Sequence, residues 1–207
     1  MSRKRVAILI SGRGSNAKAL IEASREPAYP GEIVGVLSDH ASAAGLAMAQ
    51  GFGIAIAVIE QGTSQSRADH EAAVQKKLTE WRAEFVCLAG YMRILSSAFV
   101  TAWHGRLLNI HPSLLPAFRG LDTHRRALER GVVIHGCTVH LVTEGVDEGP
   151  ILAQATVQVR SDDMPEGLAA RVLAEEHHLY PTALADWIEG RTRLVDGRVV
   201  RSATREP

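Results

Sequence analysis

The chain is predicted to be an α/β protein, with a mostly parallel sheet and antiparallel strands added in its C-terminal part. Three observations predict this. Short apolar runs alternate with helical stretches from residue 6 to about residue 110, the pattern of strand–helix–strand units. The first run, Val6-Ala7-Ile8-Leu9-Ile10, is continuously apolar, as a strand buried on both faces must be. Beyond residue 134 the runs 137–142 and 151–159 alternate apolar with polar residues, which marks strands added in antiparallel fashion.

The elements follow in order. After the first strand comes Ser11-Gly12-Arg13-Gly14-Ser15-Asn16, then a helix over 17–23 that stops before Pro27. Strand, Gly-rich turn and helix form either a phosphate cradle or a plain connection. Glycines let the backbone approach a ligand, and free N–H groups at the helix start attract anions. Strands are expected at 32–37, 53–59 and 85–89, with helices at 43–50 and 66–81. Ala72, Ala73, Leu78 and Trp81 are candidates for the inner face of the second of these helices. Ser96 or Ser97 caps a helix through Trp103, and 106–110 is the fifth strand. Asp122 or Thr123 caps a helix that Gly131 closes. The stretch 143–150 connects two antiparallel strands. Pro165 opens a helix to about Tyr180, which 181–187 continues or restarts. Asp196-Gly197 reads as a two-residue hairpin turn, and 202–207 as a frayed tail.

Bulk properties narrow the function. The 207 residues suffice for one domain with a sizeable core, and no repeat or linker divides them. Lys plus Arg and Asp plus Glu are equal at 23 each, so no net basic field favours nucleic acid. Cys87 and Cys137 lack metal spacing and read as small buried thiols. The apolar run behind Arg3-Lys4-Arg5 is too short for a signal segment or a membrane span. A soluble cytoplasmic protein is expected.

The chemistry centres on Asn109-Ile110-His111-Pro112-Ser113-Leu114-Leu115-Pro116. In a strand, residues two apart share a face, so Asn109 and His111 project together from one strand end. Two prolines then forbid regular structure behind them. Both this platform and the Gly-rich turn fall at carboxyl ends of strands, where ligands of parallel α/β sheets sit.

Four segments in this order resemble the phosphoribosylglycinamide formyltransferase family, folate-dependent enzymes of purine synthesis. They are Ser11-Gly12-x-Gly14-Ser15-Asn16, Gly90-Tyr91-Met92-Arg93-Ile94-Leu95, the platform itself, and Val146-Asp147-x-Gly149-Pro150-Ile151. The resemblance runs from Val6 to about Gly190. It implies a Rossmann-like three-layer α/β/α fold in a single domain, 1–207. A phosphate-binding half would span about 1–105, a folate and catalytic half about 106–190, and a hairpin and tail 191–207. It implies transfer of a formyl group from 10-formyltetrahydrofolate, used as co-substrate, to the amine of 5'-phosphoribosylglycinamide.

By the same resemblance Asn109, His111 and Asp147 form the catalytic trio, and Gly14, Ser15 and Asn16 hold the ribose phosphate. Glu176 meets the glycinamide end. Arg67, Met92, Arg93, Ile94 and Leu95 line the folate site, with Thr143, Glu144, Gly145, Val146 and Asp147. No metal is expected, and the partners are small molecules, with no nucleic acid or membrane, for a monomer or homodimer. Asn109 and His111 would point donors at the oxyanion of formyl transfer. Asp147 would orient His111 and favour its charged form, or pass protons through water. Gly145 and Gly149 would let the Asp147 loop move over bound folate. Arg13 departs from the bacterial pattern, which has Asn there; it either reaches the phosphate or faces solvent.

Alternatives carry less of the sequence. Gly12-x-Gly14-x-x-Ala17 with Asp39 nearly satisfies a dinucleotide-binding fingerprint but gives Asn109, His111 and Asp147 no task. Another formyl-folate transferase or hydrolase could carry the same trio. His104, His124, His135, His140 and His177 show no partner in sequence and read as structural or surface residues. Glu175-Glu176-His177-His178 lacks the spacing of a metal site. Arg125, Arg126 and Arg130 read as a solvated helix face.

Overall fold

The structure, a computed structural model, describes residues 2–62 and 66–202, so most of the expected tail lies outside the described residues. Strands β1 (Lys4–Ile10), β2 (Gly31–Ser38), β3 (Ile56–Val58), β4 (Phe85–Leu88), β5 (Leu107–His111), β6 (Ile134–Leu141) and β7 (Ile151–Gln158) form one sheet in the order β3-β2-β1-β4-β5-β6-β7. The first five pair in parallel, and β6 and β7 join antiparallel, as expected. Helices α1 (Ser15–Ser24), α2 (Ala44–Gly51) and α6 (Pro165–Ile188) cover one face, and α3 (Arg67–Glu80) and α4 (Ser97–Ala102) the other. Helix α5 (Thr123–Glu129) packs near α6. Strands β8 (Thr192–Val195) and β9 (Arg198–Arg201) form the terminal hairpin.

The period-2 rule explains how β1 organises the core. Val6, Ile8 and Ile10 face Leu20, Ile21, Leu168 and Leu184, while Ala7 and Leu9 face Val74, Leu78, Phe99 and Val100. All five β1 side chains are fully buried. Truncating one such Leu or Ile to Ala costs about 2–5 kcal/mol.

Helix α3 corrects the expected inner face. The buried residues are His70, Glu71, Val74 and Leu78, whereas Ala72 is exposed. Polar residues are tolerated inside because each has a partner. His70 Nε2 lies 2.8 Å from the Ile59 carbonyl, and Glu71 Oε1 accepts from the Ser96 N–H at 2.7 Å. Ser66 and Asp69 form a capping box, and Ser96 caps α4. Asp122 stands at the α5 N-cap but gives no cap bond; its carboxylate pairs with Arg125 instead. Helix α6 continues through Pro181, its buried stripe from Leu168 to Leu184 holding it to the sheet. Tyr180 Oη donates to the carbonyls of Leu88 and Leu108, tying α6 to β4 and β5.

The chain runs outward from β1 to β3, then returns to build β4 and β5 on the other side. The strand order therefore reverses between β1 and β4, and sheets of this kind take ligands in the crevice beyond the carboxyl ends at such a reversal. Ser11 N–H donates to the Gly90 carbonyl at 3.0 Å and Met92 N–H to Ser11 Oγ at 2.9 Å. These bonds join the Gly-rich turn to the 90–95 segment across the reversal.

Candidate active site

Asn109 and His111 lie on one face of β5, and register places His140 of β6 directly opposite Asn109. Asn109 Nδ2 lies 3.1 Å from His140 Nε2. His140 Nδ1 lies 2.9 Å from the Leu141 carbonyl, which can only accept, so the neutral ring carries its proton on Nδ1. Nε2 then accepts from the Asn109 amide, which fixes that amide and leaves its second N–H free to donate. His140 is thus a member of the site that the sequence reading set aside as structural.

Asp147 closes the group. Its Oδ2 lies 3.3 Å from His111 Nδ1 and accepts from the Gly120 N–H at 2.9 Å. Its Oδ1 lies 3.7 Å from His140 Nε2. The trio expected from the sequence is therefore brought together, with a fourth residue between its members. Burial pushes the Asp147 carboxyl up, but the His140 imidazole, the Gly120 N–H and the His111 imidazole outweigh it and hold the pKa below the usual value. Asp147 occupies the left-handed region at φ 53°, a conformation that Asp and Asn tolerate better than other side chains.

His111 differs from expectation in two ways. Burial holds its pKa below the usual histidine value, although the Phe118 carbonyl and Asp147 both act upwards. The charged form that Asp147 was expected to favour is thus outweighed by desolvation. Second, both ring nitrogens are engaged: Nε2 lies 3.0 Å from the Phe118 carbonyl and Nδ1 faces Asp147. A neutral ring donating from Nε2 turns the Nδ1 lone pair towards a carboxylate. A proton delivered by a strong acid bridges the two groups and relieves that opposition; each group by itself is held below its usual pKa. The free Asn109 N–H, rather than two donors side by side, is the hydrogen-bond donor this platform offers.

The turn behind the platform is held by more than prolines. Thr138 Oγ1 donates to the Ser113 carbonyl at 2.7 Å and accepts from the Leu115 N–H at 3.0 Å. Gln154 Nε2 donates to the Leu115 carbonyl at 2.9 Å, and the Leu115–Pro116 peptide is cis. The glycines of the Asp147 loop sit at close contacts. A Cβ on Gly149 would lie 1.8 Å from the Leu141 carbonyl oxygen, and one on Gly145 would meet the Glu148 carboxylate. Arg119 pairs with Glu148 across the two loops.

At the Gly-rich turn, Gly14 is the α1 N-cap in left-handed conformation, φ 72°. A Cβ there would lie 2.8 Å from Gly45 Cα, so only glycine lets the turn rest on α2. Ser15 is half-buried and Asn16 buried. Asn16 Nδ2 donates to Glu176 Oε2 at 2.6 Å, joining two residues expected at opposite ends of one substrate. Asn16 Oδ1 is buried and has no partner among the described residues. Burial raises the Glu176 pKa, with the Asn16 bond acting against it.

The remaining predicted residues divide. Met92, Ile94 and Val146 are 62%, 67% and 54% exposed, an apolar rim able to receive a flat ring. Leu95, Thr143 and Gly145 are half-buried and Glu144 exposed. Arg93 Nε donates to Asp39 Oδ2 at 2.8 Å and Nη1 to Gln61. Asp39, the acid a dinucleotide site would need for ribose, is buried and committed to Arg93. Arg67 opens α3 as an exposed residue, and the structure joins it to none of the other predicted site residues. His124 and His135 stack edge to face at 5.3 Å, with Phe118 against His135 at 5.8 Å. Among the described residues no His, Cys, Asp and Glu cluster could hold a metal, and no helix is long and apolar enough to cross a membrane.

The chain is similar to known proteins over nearly its whole length. A family model described as formyl transferase matches residues 4–184. The Escherichia coli (strain K12) phosphoribosylglycinamide formyltransferase is 42% identical over 189 residues, covering 91% of this chain and 89% of that protein. The Bos taurus trifunctional purine biosynthetic protein adenosine-3 is 46% identical over 198 residues, covering 95% of this chain and 20% of that protein. The chain thus spans about a fifth of the length of such trifunctional relatives. The crystal structure of glycinamide ribonucleotide transformylase 1 from Symbiobacterium toebii superposes with a TM-score of 0.93 at 45% identity, covering 97% of this chain and 95% of that one. The chain belongs to the formyl transferase family.

Proposed function

We propose that this chain transfers the formyl group of 10-formyltetrahydrofolate to the amine of 5'-phosphoribosylglycinamide, giving formylglycinamide ribonucleotide and tetrahydrofolate. It would act as a cytoplasmic enzyme of purine synthesis on small molecules, as a monomer or homodimer. The observation that carries this reading is the Asn109–His140–Asp147–His111 group, which combines one oriented donor with one proton-accepting pair. The names and coverage of the bacterial relatives support the choice of substrates.

In this reading the substrate amine is itself the nucleophile, so no Ser or Cys is needed. Its lone pair attacks the formyl carbon, and the carbonyl π electrons move onto oxygen. The free N–H of Asn109 stabilises that oxyanion; one preorganised donor of this kind contributes about 3 kcal/mol. The amine loses a proton to the Asp147–His111 pair, directly or through water. The resulting imidazolium lies next to the oxyanion and stabilises it further. As the oxyanion collapses, the bond from carbon to folate N10 breaks and N10 takes up the proton held by the Asp147–His111 pair, directly or through water. Proton count and charge return to their starting values.

Substrate placement follows the crevice. Gly14, Ser15 and Asn16, with the α1 N–H groups, receive the ribose phosphate. Glu176 and the unpaired Asn16 oxygen accept from the glycinamide end. Arg67, Met92 to Leu95 and Thr143 to Asp147 line the folate site. Mixing the purified chain with both substrates and following folate absorbance tests the reading. Turnover that requires both supports it; no turnover, or release of formate without the ribonucleotide, rejects it.

A further inference from the structure

Arg13 differs from Arg93 and Arg119, the arginines of the 90–95 segment and beside the platform. Arg93 is paired with Asp39, and Arg119 with Glu148. Arg13 is exposed, and among the described residues no hydrogen bond or ion pair engages its guanidinium. Its backbone, in contrast, is pinned on both sides. The Gly45 N–H donates to the Gly12 carbonyl at 3.1 Å, Gly14 rests on Gly45, and Ser11 is bonded to Gly90. The side chain is the free part of a fixed loop.

That loop leads directly into α1. The first intrahelical bond runs from the Lys18 N–H to the Gly14 carbonyl, so the N–H groups of Ser15, Asn16 and Ala17 precede the ladder. Gly14 has no side chain with which to cap them. Backbone donors can cradle an anion but bring only partial charge. A phosphate carrying nearly two negative charges at neutral pH also needs a full cation, and a guanidinium offers a two-pronged fork for its oxygens.

We infer that Arg13 clamps the substrate's phosphate from the solvent side, completing the charge that the Gly14–Asn16 backbone leaves unmatched. This rests on the formyl-transfer reading above. The fork closes only over a bound phosphate, which is why it has no partner within the protein. Arg13 contributes to ground-state binding of the ribonucleotide and touches neither the folate nor the reacting carbon.

The test uses Arg13→Ala, Arg13→Lys and Arg13→Glu in the full chain. Steady-state KM for each substrate, kcat and inhibition by inorganic phosphate are measured at two salt concentrations. Losing a charge-assisted bond raises KM for the ribonucleotide about tenfold in Arg13→Ala and more in Arg13→Glu. Lys recovers part of it. The KM for folate and kcat change less than twofold, phosphate inhibits more weakly, and the salt dependence of the ribonucleotide KM flattens. An unchanged ribonucleotide KM in both Ala and Glu variants, or a fall in kcat alone, overturns the assignment. Absence of turnover in the unmodified chain rejects the formyl-transfer reading itself, a separate result.

Discussion

The two halves of the crevice are built on different principles. On the β5–β6 side the group is held by polar contacts of its side chains: His140 fixes Asn109, Asp147 faces His111, and the Gly120 backbone N–H fixes Asp147. At the Gly-rich turn the shape comes from backbone and from missing side chains, with Gly14 against Gly45 and Gly45 against Gly12. The contrast teaches where each half is vulnerable. Substitutions among the interlocked side chains should act on the chemical step. Substitutions at the turn should act on fit and on binding of the phosphate.

The largest expected effect is on the interlocked side. Asn109→Ala removes the oriented donor and should lower kcat by about 10²–10³. His111→Ala should do the same, and the double variant should lose far less than the product, because the residues act as one unit. Multiplicative losses in single-turnover assays would separate them.

Next comes the turn. Gly14→Ala places a Cβ 2.8 Å from Gly45 Cα at a positive φ. It should cost about 1–3 kcal/mol of stability by denaturant titration and raise the ribonucleotide KM with a smaller change in kcat. A loss confined to kcat would erase the contrast between the halves.

A smaller effect is expected at His140. His140→Phe frees the Asn109 amide to rotate and should lower kcat about tenfold, with both KM values nearly preserved. Unchanged kcat would return His140 to a packing role.

The smallest effect concerns stability. Burial first, then His124, holds the His135 pKa down at about 4, against an upward pull from the Pro112 backbone. Between pH 4 and about 6.5 the unfolded chain binds a proton there that the folded chain does not. Stability therefore rises with pH across this window and falls on acidification, by about 2 kcal/mol from pH 7 to 5 for this residue. His111, His124 and His177, also lowered by burial, act with the same sign. His135→Phe should keep the packing against Phe118 and flatten the dependence of Tm on pH; an equally steep slope would remove His135 from it.

The sheet was legible because hydrophobic period depends on local sequence. The runs at β1 and β5 report burial directly, and the change to alternation before β6 reports the antiparallel strands. What escaped was set by pairing over distance. His140 looks like any polar residue of an alternating strand until register sets it opposite Asn109, 31 residues away. Anticipating the β5–β6 pairing would have shown it. The inner face of α3 was read only in part, with Leu78 and Trp81 packed as expected: His70 and Glu71 are buried through partners on other elements, which a hydrophobic pattern cannot show. The Gly149 contact with Leu141 likewise depends on how the chain folds back, which local sequence does not show.

Asp147→Asn tests the central claim most directly. Asn can keep the left-handed backbone and accept from Gly120, so the loop should stay in place. It cannot take the proton that the Asp147–His111 pair is proposed to accept. Formyl transfer by this variant, followed beside the unmodified chain at saturating substrates, should show kcat lowered by about 10³ or more with the ribonucleotide KM and Tm retained. A variant that folds, binds and turns over at the unmodified rate would contradict the account.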